Sequence, residues 1–189
     1  HTRSPRVTGV LTCALPIYEA YIDYGGESAL SLLPKYENLL VVRTYSKSRS
    51  MAGMRIGYAM GNKRLIQAMT DVKESINSYT MTRESIVLGA ASLADEEYFQ
   101  EKKQMVVATR ERTKEELRRR GFEVLDSSAN FLFAKPNSVD AGWLFEELKK
   151  EKIFVRHFNG ERIKDYLRIS IGTDQQMDCL LQAIDRIMA

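Results

Sequence analysis

Cysteine is nearly absent. The 189 residues contain two, Cys13 and Cys179, which excludes a disulfide framework and leaves no cysteine metal-ligand spacing. No stretch approaches the run of about 18 apolar residues that a membrane-crossing helix requires. Neither sign of charge dominates: 28 Lys and Arg face 25 Asp and Glu, for a net +3. The signs are interspersed, so no nucleic-acid footprint stands out. The basic run Arg118-Arg119-Arg120 closes a helical stretch after Glu111, Glu115 and Glu116. The pairs Glu115–Arg119 and Glu116–Arg120 fall at i,i+4, as expected of a solvated helix end. Internal repeats and low-complexity tracts are missing, and Pro136-Asn137-Ser138 is only a short turn.

What is present concentrates between residues 39 and 60. The apolar run Leu39 to Val42 reads as a buried strand. It leads into Thr44-Tyr45-Ser46-Lys47-Ser48, a turn with one lysine between two hydroxyl residues. Arg55 follows eight positions after Lys47, and a second apolar strand, Ile56 to Met60, begins at once. This order places an amine at a strand end, with hydroxyls and a guanidinium near enough to hold a phosphate. Pyridoxal 5′-phosphate (PLP) enzymes need those parts: a lysine for the imine and a separate grip on the phosphate.

Longer matches carry a resemblance. Glu19-Ala20-Tyr21-Ile22-Asp23-Tyr24-Gly25-Gly26, Asn38 to Lys47 and Ala52-Gly53-Met54-Arg55-Ile56-Gly57-Tyr58-Ala59 come first. Ser128-Ala129-Asn130-Phe131-Leu132-Phe133 and Leu167-Arg168-Ile169-Ser170-Ile171-Gly172-Thr173 follow in the same order. Together they resemble fold-type I PLP-dependent aminotransferases of class I/II, and are most similar to the histidinol-phosphate aminotransferase branch. The resemblance covers residues 19–189 and implies an α/β fold. A partial large domain would hold the strand-turn-strand with the cofactor lysine, followed by a C-terminal α+β small domain.

The resemblance also assigns roles. Lys47 would form the imine and shuttle the proton between substrate and cofactor. Arg55 and Ser46 would hold the PLP phosphate, with Thr44 and Ser48 as equally able hydroxyl donors. Tyr21 would donate its hydroxyl to the cofactor's phenolate oxygen. Arg168 would grip the substrate α-carboxylate, Asn130 would add an amide donor, and Arg156 would help bind a substrate phosphate. Strand alternation independently puts Arg168 on the face opposite Leu167 and Ile169, hence towards a cleft. Such a charge is expensive in a strand without a partner. His157 reads as a loop residue, Trp143 as core.

Three family features are missing. Where the family carries an aspartate for the pyridine nitrogen, this chain has Tyr18, and a phenol cannot replace that carboxylate. Asp23 is badly placed to substitute. The family's glycine-rich phosphate loop and Asn-Pro loop are also missing. Residues 1–17 (HTRSPRVTGVLTCALPI) match nothing in the family and read as an unrelated or artefactual arm, outside fold reasoning. The expectation is thus a C-terminal fragment. Residues 18–95 would hold the partial large domain and interdomain helices, and residues 96–189 the small domain.

Helices are predicted over 63–75, 82–93, 96–120, 140–150 and 174–188. Strands are predicted over 122–125, 130–134, 153–155 and 166–170. Ile86, Val87, Ala90 and Ala91 would pack around small Gly89, and Gly121 would end the long charged helix. The implied reaction is transamination between histidinol phosphate and 2-oxoglutarate, with an amino acid or amino-phosphate and a 2-oxo acid as small-molecule partners. Impairment would follow from Tyr18 and the missing loops. A homodimeric parent and a cytoplasmic location complete the expectation. The alternatives are an aromatic or other amino-acid transaminase, a phospho-amino-acid decarboxylase and a non-catalytic folded remnant.

Overall fold

A computed structural model describes residues 14–189. The chain divides into two compact units, up to Phe99 and from Gln100 onward.

The first unit is built on a three-stranded sheet in the order β1-β2-β3. Strand β1 (Leu15–Tyr18) lies parallel to β2 (Leu39–Thr44), with Leu15 opposite Leu39 and Tyr18 opposite Val42. Strand β3 (Gly57–Gly61) runs antiparallel to β2, Thr44 facing Gly57. Residues 15–17 are therefore part of the sheet, contrary to their exclusion from fold reasoning. Their alternating backbone groups find a ladder along the apolar β2 whatever their own sequence.

Leu39, Leu40 and Val41 are buried, with Tyr45 and Ile56 closing the end of the strand pair. Helix α1 (Lys63–Ile76) starts on Asn62, whose side chain accepts from the Arg64 N–H. Helix α2 (Arg83–Ala94) starts on Thr82, which accepts from the Ser85 N–H. Gly89 packs closely, since a Cβ there would meet Ile56 Cδ1 at 2.8 Å. The expected apolar packing around it differs: Ser85 and Gly89 are the buried residues of α2, while Ile86 and Val87 are exposed. A buried face of Ser and Gly lets the helix approach at backbone distance, and this turns the branched residues outward.

The second unit is a four-stranded antiparallel sheet, order β4-β5-β7-β6, covered on one face by helices. Helix α3 (Glu96–Arg119) contributes Leu117 to the core. Gly121, at φ +80°, then turns the chain into β4 (Phe122–Val124). Strand β5 (Phe131–Pro136) alternates, sending Leu132 and Ala134 inward. Helix α4 (Ala141–Lys150) adds Ala141, Leu144 and Leu148, and β7 (Leu167–Ser170) adds Leu167 and Ile169. Helix α5 (Asp174–Met188) closes the core with Leu180, Leu181, Ala183 and Ile184.

Three expectations change here. The strand placed at 153–155 is not formed; β6 is the pair Arg156–His157. Lys152 adopts a left-handed φ of 62°, and the Ile153 N–H bonds back to the Leu148 carbonyl. That amide caps helix α4 and is unavailable to a ladder. Trp143 is 44% exposed instead of buried. The apolar stripe at 141, 144 and 148 follows the helical period and leaves Trp143 to one side. In α3, Glu115 pairs with Arg118 instead of Arg119, while Arg119 and Arg120 share Glu116.

Candidate functional site

The candidate residues fall into two groups, one in each unit. In the first, β2 ends at Thr44 and the chain turns sharply. Thr44 Oγ1 donates to Ser46 Oγ at 2.9 Å and accepts from the Ser46 N–H at 3.1 Å. The Ser50 N–H closes the loop onto the Lys47 carbonyl at 3.1 Å, with Ser50 itself left-handed at φ 56°. Lys47 is exposed, its Nζ 5.7 Å from the centre of the Tyr21 ring. Arg55 is also exposed and left-handed at φ 55°, a conformation unfavourable for a side-chain-bearing residue. Its Nη1 donates to the Ala52 carbonyl at 2.9 Å. Among the described residues no carboxylate pairs with Lys47 or Arg55.

An unpaired amine, an unpaired guanidinium and two hydroxyls form a donor set suited to an aldehyde carrying a phosphate. They fit those two ends of PLP. Among the described residues, the end of β1 offers no acid for a ring nitrogen: Tyr18 stands there with 64% exposure. Asp23 is engaged elsewhere, accepting a hydrogen bond from the Ser48 hydroxyl.

A carboxylate does sit beside Tyr18. Glu19 accepts from the Ala29 N–H at 2.7 Å, from the Ser28 hydroxyl at 3.0 Å and from Arg43 Nε at 3.0 Å. Burial pushes its carboxyl up, but those hydrogen bonds and the Arg43 charge outweigh it and hold it below its ordinary value. Glu19 is thus a structural anion, committed to tying the 28–29 turn to β2. No short-range pattern marks it, because Arg43 lies 24 residues away.

The second group occupies the sheet face opposite the core. Arg168 in β7 lies between Phe133 of β5 and Arg156 of β6 in the cross-strand register. Two arginines directly opposite each other repel, and among the described residues neither has an acidic partner. Arg168 Nε is shielded from solvent and makes no hydrogen bond. Aromatic rings surround the pair: Phe131 is 5.3 Å from the Arg168 guanidinium and Phe158 is 5.5 Å from that of Arg156. Phe133 stacks on Tyr166 at 4.8 Å. Asn130 leads into β5, its carbonyl accepting from the Ile171 N–H just beyond β7. The preceding Ala129 carbonyl accepts from the buried guanidinium of Arg110 at 2.9 Å. Such an aromatic-walled pair of guanidiniums can take a planar anion. Sequence reasoning named Arg156, Arg168 and Asn130 as candidates and did not name Phe158, Tyr166 or Arg110 beside them.

Comparison with solved structures establishes the class: an α/β protein of the aminotransferase fold. The histidinol-phosphate aminotransferase of Clostridium acetobutylicum matches with a TM-score of 0.82 at 26% identity, covering 92% of this chain and 54% of that one. That of Sinorhizobium meliloti, in complex with pyridoxal-5′-phosphate, matches at 0.80 and 28% identity, over 93% and 50%. The profile of the aminotransferase class I and II family matches residues 14–184, and the chain belongs to that family. The histidinol-phosphate aminotransferase of Aromatoleum aromaticum is 48% identical over 182 residues, 96% of this chain and 51% of that protein. The chain therefore spans about half the length of the curated relatives it matches. Among the described residues no helix is long and apolar enough to cross a membrane.

Proposed function

We propose that this chain carries the lysine segment and substrate-anion face of a PLP-dependent aminotransferase acting on histidinol phosphate with 2-oxoglutarate. The observation that carries the reading is Lys47, an amine free of acidic partners at a strand end, lying over the Tyr21 ring. PLP, when bound, supplies a ring that stores the electrons left when a substrate Cα–H bond breaks. The chain's own residues would do the rest. Lys47 Nζ would take the proton from the substrate Cα and return it to the carbon that was the cofactor's aldehyde. Arg55 and the Ser46 and Thr44 hydroxyls hold the phosphate, and the Tyr21 hydroxyl donates to the phenolate oxygen. Arg168 receives the α-carboxylate with Asn130 beside it, and Arg156 receives the substrate's second anion. The names of the 48%-identical relatives support the substrate.

The test is to mix the chain with PLP, reduce with borohydride and locate the pyridoxyl group by mass spectrometry. A single saturable adduct at Lys47, absent in Lys47→Ala, is expected. Scattered labelling unchanged in that variant would overturn the reading. A second reading, a folded chain without catalysis, is favoured by Tyr18, which offers no carboxylate at the end of β1. It predicts no cofactor occupancy, with labelling scattered over surface lysines and unchanged in Lys47→Ala.

A further inference from the structure

The lysine loop is docked by two consecutive residues onto one short turn. Lys47 lies over the ring of Tyr21, and Ser48 donates its hydroxyl to Oδ2 of Asp23. Asp23 belongs to the 3-10 turn Ile22–Tyr24, which Tyr21 caps at its N-terminus. Asp23 and Ser48 are half-buried, whereas Lys47 is exposed. The loop's internal hydrogen bonds, Ser50 N–H to the Lys47 carbonyl and Met51 N–H to the Tyr45 carbonyl, close it on itself. They do not reach the turn, and Arg49 ties the loop separately to Ser92 and Glu96. The hydroxyl-to-carboxylate bond, which is charge-assisted and joins residues 25 apart, ties the loop to the turn.

We infer that Asp23 is a positioning residue for Lys47, acting through Ser48. The carboxylate holds the loop so that the amine is presented beside the Tyr21 ring instead of swinging among the many rotamers of an exposed lysine. This deepens the proposed function and rests on the reading of Lys47 as the cofactor lysine. It gives Asp23 a role distinct from the ring-nitrogen contact.

The experiment compares the full chain with Ser48→Ala, Asp23→Ala, the double variant and the conservative Ser48→Thr, using two readouts. One is the PLP concentration giving half-maximal borohydride-trapped adduct at Lys47. The other needs no cofactor: the labelling rate of Lys47 by trace acetic anhydride, relative to the exposed helical Lys63 and Lys73. Each alanine variant is expected to raise the half-saturating PLP concentration about tenfold, as for loss of one charge-assisted hydrogen bond. The same variants should raise the Lys47 labelling ratio, the double variant should lose no more than either single one, and Ser48→Thr should restore both readouts. Wild-type values for both readouts in the alanine variants would overturn the inference, as would additive losses. If Asp23→Ala fails to fold, Ser48→Ala and Ser48→Thr decide it. Should wild type form no adduct at Lys47, the cofactor reading fails while the labelling ratio still decides the positioning role.

Discussion

Arg168 and Arg156 face each other without an acid between them, and one Arg168 donor is shielded from water without a partner. The arrangement carries a charge repulsion and an unsatisfied donor, and an anion relieves both penalties. Arg168→Met should therefore stabilise the anion-free chain by about 0.5–1 kcal/mol in urea unfolding. Added phosphate should stabilise wild type but not the variant. Destabilisation by Arg168→Met with an unchanged phosphate response would contradict the site.

Glu19 makes the opposite case at the same scale. Its folded carboxyl is held below the ordinary value, so the unfolded chain binds that proton at higher pH. The resulting stability is fully present above about pH 4.3, the unfolded value, and is lost as pH falls through the lower folded one. Glu19→Gln should cost about 2 kcal/mol at neutral pH, and the deficit should shrink on acidification; a pH-independent deficit would refute the linkage.

At the scale of elements, the positions of the helices and of most strands were legible because their signals are local. The N-termini at Asn62, Thr82, Asp140 and Thr173 each carry a side chain that accepts from the first turn. Thr173 forms a full capping box: its hydroxyl takes the Gln176 N–H at 3.3 Å, and Gln176 Oε1 takes the Thr173 N–H at 2.9 Å. A Cβ on Gly172 would lie 2.3 Å from Gln176 Oε1, so the glycine leaves room for that reach. Thr173→Ala should cost about 1 kcal/mol in thermal unfolding, and Gly172→Ala should cost part of the same energy by displacing the glutamine. No loss in Thr173→Ala would mean that the N-terminus of α5 is held by tertiary contacts alone. Such contacts do exist, since Arg112 binds Asp174 and Asp178 across the helix pair. The predicted strand at 153–155 failed at this scale. Its apolar pattern is real, but Lys152 and the Ile153 amide close the preceding helix first.

At the scale of the molecule, each unit carries its own core, but they differ in how well apolar surface is covered. The second unit buries Leu117, Leu132, Leu144, Leu148 and Leu167 completely. Residues 100–189 expressed alone should unfold cooperatively, and a gradual, non-cooperative loss of signal would show that this core depends on the other unit. The first unit exposes Ile76, Tyr79, Ile86, Val87 and Leu93 along and between α1 and α2. That much apolar surface predicts concentration-dependent association in sedimentation velocity; a single monomeric species at every concentration would contradict it.

The sequence alone determined the lysine turn after β2, the strands β5 and β7, the helix positions and the outward face of Arg168. Each of these depends on residues within a few positions of one another, where the strand and helix periods act. Tertiary structure decided the rest. It alone set Arg156 opposite Arg168, joined Ser48 to Asp23 and Glu19 to Arg43, and made residues 15–18 a strand. Those outcomes follow from register and from contacts between distant segments, and short-range periodicity carries no information about which distant backbone a residue will meet.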